Sequence, residues 1–352
     1  MHRTTNTAAR QRGLGLIEIM VALAISAILL TGVVQIFLGS KLSYRVTEAN
    51  ARIQEGGRFA VNFMNEDLRL AGYTGCFHNG LNNVENDLQN PDAFNWNLGI
   101  PLSGHDANGG GGWAPVLPAE LAGRVLPGTD VVVARGLASD GIRVVEEVGP
   151  AAQIFVNQAG MNLKDGDIAM ITDCRHGAIF QITNANPVGG NRVNFVRSRG
   201  NCGDAGLCNP GNADTSFDNN YGTDAEIARL RVSAYFIANN NAGEPALFRM
   251  QLANNGGMNA EELVAGVENL QVLYGEDTND DGIANRYVTA RDVGNLANVV
   301  SIRYSLLLRS ENNIASEPQT YDYNGEPHTA ADDLRMRRVF SSTVKIRNRG
   351  IL

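Results

Sequence analysis

A long apolar stretch near the N-terminus constrains this chain more than any other feature of its sequence. A short basic leader ends at Gly13, and residues 14–38 after it are almost entirely apolar. With about 1.5 Å of rise per residue, a helix over this stretch is long enough to cross the ~30 Å hydrocarbon core of a bilayer. A secretory signal would carry a small-residue cleavage site after its apolar core, whereas here Gly13 precedes it. The stretch therefore predicts a single membrane-spanning helix.

The charges around this stretch predict its orientation and one functional residue. Arg3, Arg10 and Arg12 should hold the N-terminus at the cytoplasmic face, so that the remainder of the chain crosses the membrane. Glu18 is the one ionisable residue within 14–38. An unpaired charge in lipid costs about 3 kcal/mol or more, and the helix dipole offsets only about 0.3–1 kcal/mol of that cost. Glu18 is therefore a candidate functional residue.

The start of the apolar stretch reads Arg12-Gly13-Leu14-Gly15-Leu16-Ile17-Glu18-Ile19-Met20. This segment resembles the leader and helix start of type IV prepilins and type II secretion pseudopilins. The resemblance implies that a prepilin peptidase cuts between Gly13 and Leu14, and that the new N-terminus is methylated. It also implies that Glu18, the fifth residue from Leu14, pairs with the amine of Leu14 on a neighbouring subunit. Leu14 and Gly15 depart from the family, in which Phe and Thr are usual.

The composition indicates a folded body rather than a disordered one. Apolar residues make up 43% and charged residues 19% of the chain, and the 39 Gly residues suit many turns. Removal of residues 1–13 takes away three Arg residues and changes the formal net charge from -8 to -11. An acidic body argues against direct nucleic-acid binding, because phosphate recognition needs clustered Lys and Arg.

The helical pattern continues beyond the membrane-spanning stretch. Gly56-Gly57 interrupts helix propensity by about 1 kcal/mol per Gly, which predicts a bend or a close contact there. Gly72 suits a C-cap, so one helix is predicted from Leu14 to Ala71. A stripe with alternating spacings of four and three should face the body, and only its last member is charged: Leu42, Val46, Ala49, Ile53, Gly56, Ala60, Phe63 and Asp67.

After a loop-like region from Phe77 to about Pro127, short β-type segments follow one another between Gly, Asn, Asp and Pro residues. A weak helical pattern covers only residues 292–296. The predicted fold class is α+β, with a long N-terminal α-helix packed on a mostly antiparallel β-sheet domain. The predicted segments are 131–134 paired with 142–145, then 154–156, 168–171, 179–182, 193–196, 230–237, 246–252, 263–274, 299–309 and 339–346.

The chain is thus expected to divide into four parts. These are a leader (1–13), a transmembrane or filament-core helix (14–38), a continuation of that helix packed on the body (39–72), and a periplasmic β-rich domain (73–352). The body should then face an oxidising compartment. Its four cysteines fit two disulfides with three possible connectivities, of which Cys76–Cys174 and Cys202–Cys208 are favoured. A metal site is disfavoured because the chain has no C-x-x-C spacing.

A loop from Asp277 has the alternating oxygen groups that begin a calcium loop. Asp277, Asn279 and Asp281 occupy its first, third and fifth positions, and the Ile283 carbonyl and Asn285 follow. The place of the bidentate Glu of an EF-hand is taken by Val288, which disfavours a full EF-hand. A weaker calcium loop, closed by another acid such as Glu276, and a metal-free Asx turn both remain open. The turn is slightly favoured, so no cofactor is required and calcium is an optional ligand.

No catalytic set is recognisable in the sequence. The motifs G-x-S-x-G and H-E-x-x-H and a dinucleotide fingerprint after a strand are all missing. The five His residues are scattered, and neighbouring acids such as Glu261-Glu262 are expected to be solvated. No enzymatic activity is therefore expected. A membrane-anchored enzyme would instead require a convergent polar pocket in the β body.

Three further segments narrow the resemblance. Residues 54–60 and 66–76, and the closing run 337–348, resemble PilW-type minor pilins, which are similar to the minor pseudopilin GspJ. The resemblance implies a single-pass inner-membrane protein with a periplasmic C-terminal domain that later joins the pilus at its tip. Its partners would be other minor pilins, the major pilin, the prepilin peptidase, the inner-membrane assembly platform, a tip adhesin, and lipid before assembly. It would prime pilus assembly and support adhesion, twitching motility or DNA uptake. The alternative is a pseudopilin of a type II secretion system that contacts exported proteins.

Overall fold

A single helix, α1 (Leu16–Arg69), dominates the computed structural model, which describes residues 15–77, 84–149, 152–199, 209–330 and 333–348. Its 54 residues agree with the predicted helix to within two residues at each end. The helix ends because Leu70 closes a tight turn onto the carbonyl of Asp67, and Gly72 then takes a left-handed φ of 75°. The predicted cleavage residues, Gly13 and Leu14, lie outside the described residues.

The body is built almost entirely from strands, and its two short 3-10 helices cover Gln158–Asn162 and Leu296–Asn298. The strands of the described residues are β1 (Glu85–Asn86), β2 (Leu102–Ala107), β3 (Trp113–Ala114), β4 (Val131–Arg143), β5 (Gln153–Asn157), β6 (Ile168–Thr172), β7 (Gly177–Gln181), β8 (Asn184–Val188), β9 (Arg192–Val196), β10 (Glu226–Asn239), β11 (Pro245–Leu252), β12 (Met258–Ala265), β13 (Val267–Glu276), β14 (Arg286–Val288), β15 (Val299–Asn313), β16 (Thr320–Tyr323), β17 (Glu326–Thr329) and β18 (Arg335–Lys345).

These strands form two main sheets and two small ones. The larger main sheet has nine strands in the order β1-β7-β6-β10-β4-β2-β3, with β11 and β12 added beside β10. The second has four strands in the order β14-β13-β15-β18. Strands β5, β9 and β8 form a third sheet, and β16 and β17 form a hairpin. Within the described strands, β1 and β7 pair in parallel and the other pairs are antiparallel. The predicted fold class is confirmed.

Three strand predictions need correction. The segments 131–134 and 142–145 are not a hairpin, because β4 is one continuous strand that pairs along its length with β10. Segment 263–274 is two strands, because Gly266 with φ of 77° takes the chain from the nine-stranded to the four-stranded sheet. The region 77–127 also contains β2, and Gly104 within it allows the Tyr274 ring to approach the backbone.

The predicted helix at residues 292–296 is also wrong. The structure has only a 3-10 turn at Leu296–Asn298, with Asn295 as its N-cap. Two backbone N–H groups of this loop, those of Gly294 and Asn295, instead donate to the Glu276 carboxylate at 2.8 and 3.4 Å. A tertiary contact thus replaces the hydrogen bonds that a helix would make.

The main hydrophobic core lies where α1 meets both main sheets. The helix contributes Ile53, Ala60, Met64 and Leu68, all 5% exposed or less. The predicted stripe is therefore correct for Ile53, Ala60 and Asp67, which are buried. Its first member, Leu42, is 49% exposed, because the helix has not yet reached the body at that point. The second half of α1 is held by packing on the sheets, whereas the first half stands apart from the body.

Candidate functional site

The first half of α1 is a free apolar rod. Large apolar side chains from Leu16 to Leu38 are 47–80% exposed. Among the described residues, α1 is the one helix that is long and apolar enough to cross a membrane, with a mean hydropathy of 2.5 over its most apolar window. Such a surface is stable only in lipid or against other apolar helices, which fits a membrane-anchored protein.

Glu18 lies in the first turn of this rod. Its Oε2 accepts a hydrogen bond from the backbone N–H of Gly15 at 3.0 Å, so the side chain caps its own helix. Within the described residues, no cationic group lies beside its carboxylate, and its Oε1 accepts no hydrogen bond. Residues 15–40 contain no second ionisable side chain. Glu18 is thus a single carboxylate on an apolar surface, with one oxygen free to accept a donor from another molecule.

The joint between helix and body is organised by a buried carboxylate. Asp67 is 4% exposed and accepts a hydrogen bond from the Tyr235 hydroxyl at 2.6 Å. Its carboxylate also forms an ion pair with Arg231. Arg249 lies 3.7 Å from the other side of the same carboxylate and stacks over the Phe63 ring. Burial and the neighbouring Asp67 raise the pKa of the Tyr235 hydroxyl well above its usual value, so this hydroxyl remains a donor.

A second polar clamp holds the same helix to the four-stranded sheet. The Tyr304 hydroxyl donates to Asn65 Oδ1 at 2.9 Å, and the Ser342 hydroxyl donates to the same oxygen at 3.1 Å. About two helical turns before Asn65, the Phe340 ring packs directly on the helix at Gly57, where a Cβ atom would lie 2.4 Å from the ring. The predicted close contact at Gly56-Gly57 is therefore present, and its partner is Phe340.

Sequence reasoning missed most of this joint. It placed Asp67 on the helix stripe but did not recognise its role, and it named neither Tyr235 nor Tyr304. A signal was available, because a charge on an otherwise apolar helix face needs a partner when it is buried. The partners themselves come from strands more than 160 residues away in the chain, and no local pattern points to them.

One of the two favoured disulfides is present in the structure. Cys76 and Cys174 are bonded and join the segment after α1 to the turn between β6 and β7, closing a separation of 98 residues. Cys202 and Cys208, the other favoured pair, lie outside the described residues.

The side-chain oxygen atoms of the Asp277 loop accept hydrogen bonds from groups of the same loop. Asp277 accepts hydrogen bonds from the N–H groups of Asn279, Asp281 and Gly282 at 3.1, 3.3 and 2.6 Å. Desolvation acts to raise the pKa of the Asp277 carboxyl, but these donors outweigh it and hold that pKa below its usual value. Glu276, considered above as a further ligand, instead accepts from Arg286 and Gly294.

Two further predicted ligands in this loop, Asp281 and Asn285, are similarly engaged. Asp281 accepts from the N–H of Ile283 at 2.8 Å and from the side-chain amide of Asn279 at 3.1 Å. Asn285 Oδ1 accepts from both the N–H and the hydroxyl of Thr278 at 2.7 and 3.0 Å. Among the described residues, no group of three or more His, Cys, Asp or Glu side chains has metal-binding geometry. The bonds from Asp277 and Asp281 to N–H groups two residues later are those of Asx turns.

The groove between α1 and the ends of β12 and β15 has a volume of about 480 Å³. Its lining is mixed and includes the apolar residues Ile53, Phe59 and Leu308 together with charged residues, among them Arg52 and Glu311 at the rim. Those two rim residues form an ion pair with each other, 3.4 Å apart.

Two family models match the chain. Residues 234–348 match the family described as type IV pilus-assembly protein W, and residues 8–34 match the prokaryotic N-terminal methylation motif. The first match covers the strands from the middle of β10 through β18, and the second covers the end of the leader and most of the free part of α1.

A solved structure, a type IV-like pilin TTHA1219 from Thermus thermophilus, is 15% identical and covers 53% of this chain and 87% of its own. Its TM-score of 0.21 is too low to support an argument. Among curated proteins, none matches the chain.

Proposed function

We propose that this chain is a PilW-type minor pilin that takes part in type IV pilus assembly, and that it acts in a priming or tip complex with other minor pilins. Its anchor is the free half of α1, and its β body presents surfaces to neighbouring subunits. By extension it supports adhesion, twitching motility or DNA uptake. The PilW match favours this role over that of a type II secretion pseudopilin.

The mechanism that we propose is physical rather than catalytic. Once the peptidase has cut between Gly13 and Leu14, the apolar half of α1 holds the subunit in the inner membrane, with its body in the periplasm. The assembly platform then transfers this helix from lipid into the helical core of the growing pilus. Both environments are apolar, so the transfer costs little hydrophobic free energy. The body carries out no chemistry and serves as a structural part.

Glu18 is the docking residue in this proposal, and its isolation on the apolar rod is the observation that carries it. The free oxygen of Glu18 would accept a hydrogen bond from the charged N-terminal amine of Leu14 on a neighbouring subunit. The pair neutralises two charges that are each expensive in an apolar environment, so only one axial register of the helices is favourable.

The test is the recovery of variants in sheared pili and in the membrane fraction. Glu18→Ala should reach wild-type levels in the membrane, because it only removes a charge from the anchor, but should be depleted at least tenfold from pili. Ile19→Ala, next in sequence, is the matched control and should assemble normally. Normal assembly of Glu18→Ala would contradict the docking role.

We also propose that the Asp277 loop folds without a metal, since its own N–H groups already satisfy its carboxylates. The melting temperature of the full chain in detergent should then differ by less than about 1 °C between ~1 mM CaCl2 and excess chelator at equal ionic strength. A rise of several degrees with calcium that is absent in Asp281→Ala would instead establish a calcium site.

A further inference from the structure

Strand β18 forms one edge of the four-stranded sheet and pairs with β15 on its other side. In an antiparallel pair, the backbone groups of alternate residues point away from the partner strand. The N–H of Ile346 bonds to Val300 on the β15 side. The N–H and C=O of Arg337 instead bond outward to the side chain of Gln319, at 2.5 and 3.0 Å. The odd-numbered residues of β18 therefore present their backbone groups to the outside.

At one end of this edge, the N–H of Arg347 donates to the Arg69 carbonyl of α1 at 3.3 Å. At the other end, Gln319 fills one position, and the positions between the two ends are open. Its side-chain amide offers one acceptor and one donor to Arg337, as an added strand would. Beyond it, the outward backbone groups of Val339, Ser341 and Thr343 have no protein partner among the described residues. Ser341 and Thr343 are exposed, so neither the helix nor a loop covers this part of the edge. Such an edge can accept a further strand.

The open edge is basic in an otherwise acidic protein. Residues 334–352 contain six Arg and Lys residues and no Asp or Glu, whereas the whole chain has a formal net charge of -8. Arg335 and Arg337 are paired with carboxylates. Arg338 and Lys345 are exposed, and no carboxylate of the described residues lies within ion-pair distance of them. The charge along the edge thus favours an acidic partner.

We propose that the edge of β18 from Val339 to Lys345 is a docking site for an extended, acidic segment of a partner protein, which adds to the sheet as a fifth strand. Backbone hydrogen bonds would supply the attachment, and the basic residues would select the partner. Two copies of this chain would bring like charges together at the same edge, which disfavours self-pairing. The inference rests on the assembly role proposed above and gives that role a specific contact surface.

The test compares matched variants in the full-length protein. Ser341→Pro removes one outward N–H but leaves the backbone hydrogen bonds to β15, and Pro is tolerated at such edge positions. It also removes the Ser341 hydroxyl, which bonds to the Ser305 hydroxyl of β15 at 2.9 Å, and Ser341→Ala removes the same hydroxyl. Ser341→Ala keeps the N–H and is its control. Lys345→Glu reverses an unpaired charge, and Lys345→Gln removes the charge without reversing it. Each variant is quantified in sheared pili relative to its level in the membrane fraction.

The proposal expects Ser341→Ala to assemble as the wild type does. Ser341→Pro and Lys345→Glu should be depleted at least tenfold, with Lys345→Gln in between. Hydrogen exchange at residues 339–345 should also be at least tenfold slower in pili than in the chain purified alone in detergent. If Ser341→Pro is lost from the membrane fraction as well, the proposal is judged on Lys345→Glu. The exposed Lys345 side chain has no ion-pair partner among the described residues, so its replacement should not disturb folding.

Two results would overturn the proposal. One is recovery of both Ser341→Pro and Lys345→Glu in pili at the level of their controls. The other is protection of residues 339–345 in the purified chain that grows with its concentration, because a second copy would then occupy the edge. Absence of the wild-type chain from pili would contradict the assembly role itself, so the two failures can be told apart.

Discussion

Asp67 shows how a single charged residue fixes the position of a long helix. An apolar stripe alone would allow α1 to slide or rotate on the sheets, because hydrophobic contacts have no direction. The Asp67 carboxylate meets donors from Tyr235 and Arg231 on β10 and from Arg249 on β11. These directional bonds define one register of the helix, and Asn65 does the same toward the second sheet.

We predict that Asp67→Ala lowers the free energy of unfolding of the full chain by about 3–5 kcal/mol, because it leaves buried donors without an acceptor. Glu66→Ala, at the exposed neighbouring position, should change it by less than about 0.5 kcal/mol. Urea titrations in detergent, followed by tryptophan fluorescence, measure both values. An equal, small effect of the two substitutions would show that Asp67 is not the residue that positions the helix.

At the scale of elements, the contact between α1 and β18 depends on the absence of a side chain. Phe340 lies so close to the helix that a Cβ at Gly57 would be 2.4 Å from its ring. Gly in a helix costs about 1 kcal/mol relative to Ala. Here that cost permits close packing between the helix and the edge strand of the four-stranded sheet.

Gly57→Ala should therefore destabilise the protein by about 1–2 kcal/mol, since the clash outweighs the gain in helix propensity. Gly39→Ala should be neutral or slightly stabilising, because nothing lies within 4 Å of a Cβ there. In combination with Phe340→Ala, which removes the obstructing ring, Gly57→Ala should cost nothing further. A double-mutant cycle from urea titrations measures this coupling, and additive effects would argue against the contact.

At the scale of the whole molecule, buried carboxylates join parts that are distant in the chain. Asp130 accepts from the N–H groups of Ala107 in β2 and Val272 in β13, both at 2.9 Å, and so connects the two main sheets. Burial raises the pKa of this carboxyl to about 6. Asp87 bonds to the buried Arg197 at 2.5 Å, and burial raises the pKa of the Asp87 carboxyl to about 7, although Arg197 acts to lower it.

Stability should consequently depend on pH in the neutral range. Asp87 and Asp130 bind protons more tightly in the folded state than in the unfolded one, where the pKa is near 3.8. The free energy of unfolding should therefore fall by roughly 2 kcal/mol or more between pH ~4 and ~7, and then level off. The variant Asp87→Asn should show a shallower slope over this range in urea titrations.

Below pH ~4, the free energy of unfolding should instead rise with pH. Arg337 lowers the pKa of the Asp333 carboxyl to about 2. The ionised Asp333 carboxylate therefore stabilises the folded state above its unfolded pKa of 3.8. This stabilisation is lost as the pH falls through the folded pKa of about 2. Maximal stability is thus expected at about pH 3.5–4, close to the unfolded pKa of 3.8. A profile that rises steadily from pH 4 to 8 would contradict the prediction for the buried carboxylates.

The sequence by itself determined the parts of this protein that depend on local pattern. The apolar stretch, the single Glu18 within it and the continuous helix are properties of neighbouring residues, and the structure has α1 at Leu16–Arg69. Most strand positions were also predicted correctly from the sequence, because alternation and turn residues are local signals. The even cysteine count and the expected compartment predicted disulfides with three possible connectivities, and the favoured one included the Cys76–Cys174 bond that the structure has.

Only the tertiary structure decided which elements meet. The turn at Gly266 that moves the chain between sheets, strand β2 within a loop-like region, and the partners of Asp67 all depend on residues far apart in the chain. The same is true of the open edge of β18, since a strand sequence does not reveal which neighbours it lacks. Local pattern sets what a segment becomes, and packing over long sequence separations sets what it touches.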